Sequence, residues 1–284
     1  MKKEQQTNLE KTVTRRDFLR NSALAAGGMA AVSQLPFAIT GHAAPDMPIR
    51  VALVGCGGRG SGAGGNVLEA GKLINATNPN VSIAAVADVF PEKAEGAAKR
   101  FRVPSEFCFG GWDAYQKAIG VPGVNYVILA TPPGFRPMQL REAMDKGKHV
   151  FMEKPVAVDA PGIRSVLGSY KMAEDKGLSV AAGTQRRHQE GYIETIKRIM
   201  DGAIGEVMYF KAYWNGGAIW HRGDHGATPM EVQMRNWYHY TWICGDHIVE
   251  QHVHNLDVCN WIMGGHPVRA YGQGGRQGLG PNVS

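Results

Sequence analysis

The chain has 284 residues and a formal charge of +6, yet residues 1–43 hold six of its 31 Lys/Arg and three of its 25 Asp/Glu, which leaves +3 on the remainder. So small a surplus excludes nucleic acid as an expected partner. The roughly 240 residues past this leader suffice for one large or two modest domains, and none of their apolar runs reaches the ~20 residues of a membrane span.

The leader reads as an export signal in three parts. Its polar, basic start contains Thr14-Arg15-Arg16-Asp17-Phe18-Leu19-Arg20, a twin-arginine pattern. A mild apolar stretch, Ala23 to Ile39, follows, and Gly41-His42-Ala43 places small residues at a cleavage site. The expectation is a signal peptide over 1–43, the twin-arginine translocation machinery as a partner, and a periplasmic or otherwise exported protein. The four cysteines, Cys56, Cys108, Cys244 and Cys259, form no C-x-x-C pair. They are expected to be free thiols, with Cys244–Cys259 the leading candidate for a bridge.

From Ile49 to Thr184 apolar runs alternate with helical patterns, which predicts an α/β fold with a parallel sheet over residues 47–184. Strands are expected at Ile49–Val54, Val81–Ala87, Tyr126–Ala130, Val150–Met152 and Leu178–Ala182. Helices are expected near 63–75, 91–101, 112–119, 135–146 and 160–176. Runs such as VALV and VILA are apolar throughout, as strands covered on both faces should be.

The first strand runs into Gly55-Cys56-Gly57-Gly58-Arg59-Gly60, a G-x-G-x-x-G pattern in strand-to-helix context. Gly55 suits the tight turn, Gly57 the approach of a pyrophosphate, and Gly60 close helix–strand packing. Gly58 and Arg59 lie in the same loop, beside the phosphates. Asp88 ends the second strand, where an acid accepts ribose hydroxyls and repels a 2′-phosphate, so NAD is favoured over NADP. Thr131 and Pro132 end the fourth strand, in position to floor the nicotinamide ribose. Glu153-Lys154-Pro155 follows the fifth, and places Glu153 and Lys154 at the cofactor.

Taken together, VGCGGRG, Asp88, ATPP, GKHVFMEKP and a later helix, Glu250 to Asp257, resemble the glucose–fructose oxidoreductase, inositol dehydrogenase and MocA family over nearly all of residues 49–271. GKHVFMEKP is the specific part. The resemblance implies a Rossmann domain followed by an open-sheet α+β substrate domain over 185–284. It also implies a nicotinamide-dependent oxidation or reduction of a sugar or polyol. In the family the E-K-P lysine, here Lys154, contacts the nicotinamide end and the reacting hydroxyl. An ammonium there can share in proton transfer or stabilise developing alkoxide charge. The family's later helix carries D-x-x-x-H. His254 matches its histidine, the expected general acid/base working near its natural pH, and Glu250 stands in place of Asp.

In the second half, a helix is expected over Glu190–Met200 and strands over Glu206–Trp214 and from Val268 to Tyr271. Asn215 to Gly245 is rich in aromatics. Arg186, Trp220, His221, Trp237, Tyr240 and His254 are expected to bind a carbohydrate, rings against sugar faces and polar groups on hydroxyls. The helix after Gly245 offers Ile248, Val249, Val253, Leu256 and Trp261 to the core. Asp246, His247, Glu250, His252 and His254 are ligand-type residues, but alcohol chemistry on NAD needs no metal and none is expected. With few recognisable strands, the second domain reads as incomplete, and a homo-oligomer is expected where that domain is whole. Three functions remain open: sugar or polyol oxidoreduction with a tightly held NAD(H), glycoside cleavage by transient oxidation and elimination, and sugar binding without catalysis.

Overall fold

The computed structural model describes residues 47–275, apart from residues 218, 225 and 226. The expected signal peptide over 1–43 and the glycine-rich stretch past residue 275 lie outside them. No helix among the described residues is long and apolar enough to cross a membrane.

The first half alternates strand and helix: β1 (Ile49–Val54), α1 (Gly58–Ile74), β2 (Val81–Asp88), α2 (Pro91–Phe101), β3 (Cys108–Gly110), α3 (Ala114–Ile119), β4 (Tyr126–Leu129), α4 (Arg136–Asp145), β5 (His149–Met152), α5 (Ala160–Lys176) and β6 (Val180–Ala182). All pairings are parallel and the order is β3-β2-β1-β4-β5-β6. The order reverses beside β1, which opens a crevice at the carboxyl ends of β1 and β4. The apolar strands serve two cores, as their composition implies. Val51, Leu53, Val86 and Ile128 pack on one face, and Ala52, Val54, Val127 and Leu129 on the other. Each fully buried Leu or Ile contributes about 1.5–3 kcal/mol of transfer free energy.

Two features depart from the sequence reading here. β3 has three residues, too few for periodicity to register. Helix α1 starts at Gly58, five residues early, because the helix opens directly from the glycine loop.

Past the sheet come α6 (Glu190–Met200), α7 (Pro229–Arg235), a 3₁₀ turn (Trp237–His239), α8 (Thr241–Cys244), a π-helical turn (Ile248–His252) and α9 (Val253–Met263). Residues 185–275 hold no strand among those described. The expected strands Glu206–Trp214 and Val268–Tyr271 run as irregular chain with Met208, Tyr209, Tyr213 and Tyr271 exposed. A strand needs a neighbour to complete its hydrogen bonds, and no described segment pairs with either of these in a sheet. Helix α7 starts on a capping box: Thr228 Oγ1 accepts from the Glu231 N–H, the Glu231 carboxylate accepts from the Thr228 N–H, and Pro229 follows at the first helical position. Of the core expected around α9, Ile248 and Leu256 are exposed. Cys56, Cys108 and Cys259 are free thiols, and the Cys244 thiol donates to the Tyr238 carbonyl at 3.3 Å.

Candidate functional site

A cavity of about 480 Å³ opens at the carboxyl ends of β1, β2, β4 and β5. Its first wall is the glycine loop. Gly55 adopts φ +92°, and a Cβ there would lie 2.6 Å from the Ala130 carbonyl carbon. A Cβ on Gly60 would lie 1.7 Å from the Gly55 oxygen, so Gly60 backs the loop and does not line the cavity. Gly58 is exposed at the start of α1. Gly57 differs from all of these. It lines the cavity, and a Cβ on it would meet nothing within 4 Å.

Asp88 closes β2 at the cavity edge. Its carboxylate accepts the N–H of Cys56 at 2.8 Å and that of Phe90 at 3.0 Å, which fixes it beside the glycine loop. Unpaired N–H groups at the start of α1, an open face at Gly57 and an acid at the second strand's end fit a dinucleotide: pyrophosphate at the helix, adenosine ribose at Asp88. Thr131 and Pro132 line the opposite lip, and the Thr131 hydroxyl donates to Gln139 Oε1 at 2.6 Å. Arg59 spans from the glycine loop to Glu153, Nε to Oε1, at 2.5 Å.

The far end is built on the loop after β5. The Lys154–Pro155 peptide is cis. Arg136, buried in the first turn of α4, donates to the Glu153 carbonyl at 2.8 Å and to the Pro155 carbonyl, and so holds this loop from behind. Burial pulls the Arg136 guanidinium down to about 10, against the pull of Glu250 and Glu153. Lys154 Nζ donates to the Glu250 carbonyl oxygen at 2.5 Å and to Glu250 Oε1 at 2.9 Å. Glu250 Oε2 is buried with no hydrogen-bond partner among the described residues, and Glu250 lines the cavity. Burial raises its carboxyl above the usual range, although Lys154 and Arg136 oppose this.

His254 is 6% exposed, does not line the cavity, and stacks on Trp214 with ring centroids 5.7 Å apart. Burial, then the charges of Lys154 and Arg186, pull its imidazole down to about 4. This places its titration below the near-neutral range expected from the sequence. The folded state binds fewer protons at this site than the unfolded one. Stability from His254 is present above the ordinary value of 6.5 and is lost as pH falls from 6.5 towards 4. Urea unfolding across that window should show a loss of roughly 1–3 kcal/mol that His254→Asn removes.

The residues expected to hold a carbohydrate divide. Trp237 lines the cavity. Trp220, His221, Tyr240 and Arg186 do not. Trp220 packs against Trp237 and Tyr238, the His221 ring faces His239, and Tyr240 packs on a small core of Phe90, Met234 and Ile243. Arg186 bonds Asn255 Oδ1 and lies over the Tyr192 and Trp214 rings. Arg187 pairs with Asp257, whose carboxylate serves structure. Sequence reasoning missed Phe90, Lys93, Trp112 and Met234, which also line the cavity, as does Tyr238 of the aromatic segment. Phe90 lies two residues past the Asp88 strand end and was findable on that ground. Met234 carries no local signal, because its place depends on how α7 packs.

Residues 49–184 match the model of the oxidoreductase family, NAD-binding Rossmann fold. Among curated proteins, scyllo-inositol 2-dehydrogenase (NAD(+)) of Bacillus subtilis is 25% identical over 69% of this chain and 50% of its own length. Inositol 2-dehydrogenase of Gluconacetobacter diazotrophicus is 28% identical over 66% of this chain and 48% of its own. The chain thus spans about half the length of these relatives. Among solved structures, myo-inositol 2-dehydrogenase from Lactobacillus plantarum superposes with a TM-score of 0.57 at 20% identity, covering 76% of this chain and 57% of that one. Scyllo-inositol dehydrogenase from Lactobacillus casei, with bound NAD(H) and scyllo-inositol, gives 0.54 at 21%, covering 76% and 56%. These superpositions agree with the fold.

Proposed function

We propose that this chain, whose residues 49–184 match the model of the glucose–fructose oxidoreductase, inositol dehydrogenase and MocA family of NAD-binding Rossmann oxidoreductases, moves a hydride between NAD(H) and a hydroxyl-bearing carbon of a polyol or sugar. One observation carries the reading. The cavity that meets the glycine loop and Asp88 at one end meets Lys154, clasped by Glu250, at the other. The curated relatives' names, inositol dehydrogenases, make cyclic polyols the first substrates to try.

Bound NAD supplies the hydride acceptor or donor. The protein's part is to place and move a proton. Two of the three Lys154 ammonium donors go to Glu250, which leaves one for a substrate hydroxyl oxygen. That donor would stabilise charge developing on the oxygen as the hydride departs. Glu250 Oε2, unpartnered and with a raised affinity for protons, is the acceptor within the cavity wall for the hydroxyl proton. His254 follows Glu250 by four residues, stacks on Trp214, and lies close enough to Lys154 for the ammonium to oppose its protonation. We further propose export by the twin-arginine route, on the strength of residues 14–20.

The test is to follow reduced nicotinamide absorbance with NAD⁺ and a panel of inositols, sugars and glycosides. Turnover with any hydroxyl substrate supports the proposal. Free sugar released from a glycoside without net reduction would redirect it to the oxidation–elimination chemistry. A chain that binds NAD⁺ yet transforms nothing in the panel counts against it.

A further inference from the structure

Part of the aromatic segment lines the crevice that meets the glycine loop and Asp88. Residues 229–244 touch both lips. On the β2 side, Met234 is buried against Phe90, the Arg235 guanidinium sits 3.9 Å from the Phe90 ring centroid, and Arg235 pairs with Glu92 at 3.0 Å. On the β4 side, Ile243 is fully buried, and a Cβ on Gly134 would lie 2.8 Å from the Trp242 carbonyl oxygen, so the two backbones are flush. Between these anchors Met234, Trp237 and Tyr238 face the cavity.

Where a dinucleotide lies follows from the fold. A pyrophosphate at the start of α1 and a ribose at Asp88 would direct the adenine past Asp88 towards Phe90 and Trp112, which both line the cavity. That end is the one covered by α7. We propose that residues 229–244 form a strap that supplies the outer wall of the adenosine subsite and closes the crevice from lip to lip, which makes NAD a captive group. The inference rests on the dinucleotide reading above and adds to it the residues that retain the cofactor. Its chemistry is apolar contact with a purine, from Met234 and Trp237, and an Arg235–Phe90–Glu92 latch holding the contact shut. Release of NAD then requires the latch or the Gly134 seam to part, so the strap governs the off-rate.

The experiment measures NADH dissociation from the full chain, by chasing bound NADH with excess NAD⁺ and following energy transfer from protein tryptophan. Arg235→Ala and Glu92→Gln open the latch, and Gly134→Ala pushes on the opposite seam. Circular dichroism and thermal unfolding establish that each variant is folded. Glu92 is exposed and Arg235 partly so, which keeps the latch variants mild. The proposal expects slow release from the parent chain and release at least tenfold faster from the latch variants. If the parent retains NADH and both folded latch variants release it at the parent rate, the strap is overturned while the dinucleotide reading stands. If the parent binds NADH but releases it as fast as the variants, the captive cofactor is overturned. A folded parent that binds no nucleotide overturns both.

Discussion

Replacing Lys154 by Met is expected to lower turnover roughly 10²–10⁴-fold, the range for losing a positioned acid–base group. The side chain is 14% exposed and its ammonium has Glu250 on two sides. Methionine keeps the length and removes the charge. It also leaves a buried carboxylate with one oxygen already unpartnered, at a cost on the order of 3 kcal/mol in stability. The double variant Lys154→Met with Glu250→Gln separates the two effects. It should recover most of the stability and none of the turnover. Steady-state kinetics and urea unfolding on the three proteins check this, and a double variant that regained turnover would show that Lys154 serves only to neutralise Glu250.

Gly57→Val is expected to fold like the parent and to lose NAD binding by about 100-fold or more. The backbone at Gly57, φ −67° and ψ −173°, is open to any residue, and a Cβ there meets no protein atom within 4 Å. The added methyls point into the cavity where a pyrophosphate would approach the start of α1. Gly60→Ala is the contrast. Its Cβ would fall 1.7 Å from the Gly55 oxygen, so the loop must move and stability should fall as well as affinity. Fluorescence titration with NADH and thermal unfolding distinguish the two. A Gly57→Val protein with unchanged NADH affinity would place the pyrophosphate elsewhere.

The parts of the molecule legible in the sequence are those decided locally. Helices 91–101, 160–176 and 190–200 lie where periodicity puts them, and five strands end close to their expected residues. The glycine loop was readable because each glycine has a steric reason that depends only on neighbours a strand away. The second half was less legible because its meaning is tertiary. Glu206–Trp214 reads as a strand in the sequence and pairs with no described segment in a sheet. The π-helical turn Ile248–His252 shifts the phase of the helix, turning Ile248 outward while Glu250 and His254 face inward. Aromatic richness flagged residues 220–242 without distinguishing sugar contact from packing. Trp220 and Tyr240 pack, and Trp237 reaches the cavity.

The most direct test of the central claim is the nucleotide content of the full chain, purified with no cofactor added, then denatured and analysed by mass spectrometry. The account predicts close to one NAD(H) per chain and no NADP(H), because the Asp88 carboxylate at the cavity edge would accept ribose hydroxyls and repel a 2′-phosphate. A folded chain that comes away empty and takes up no added NADH would contradict it.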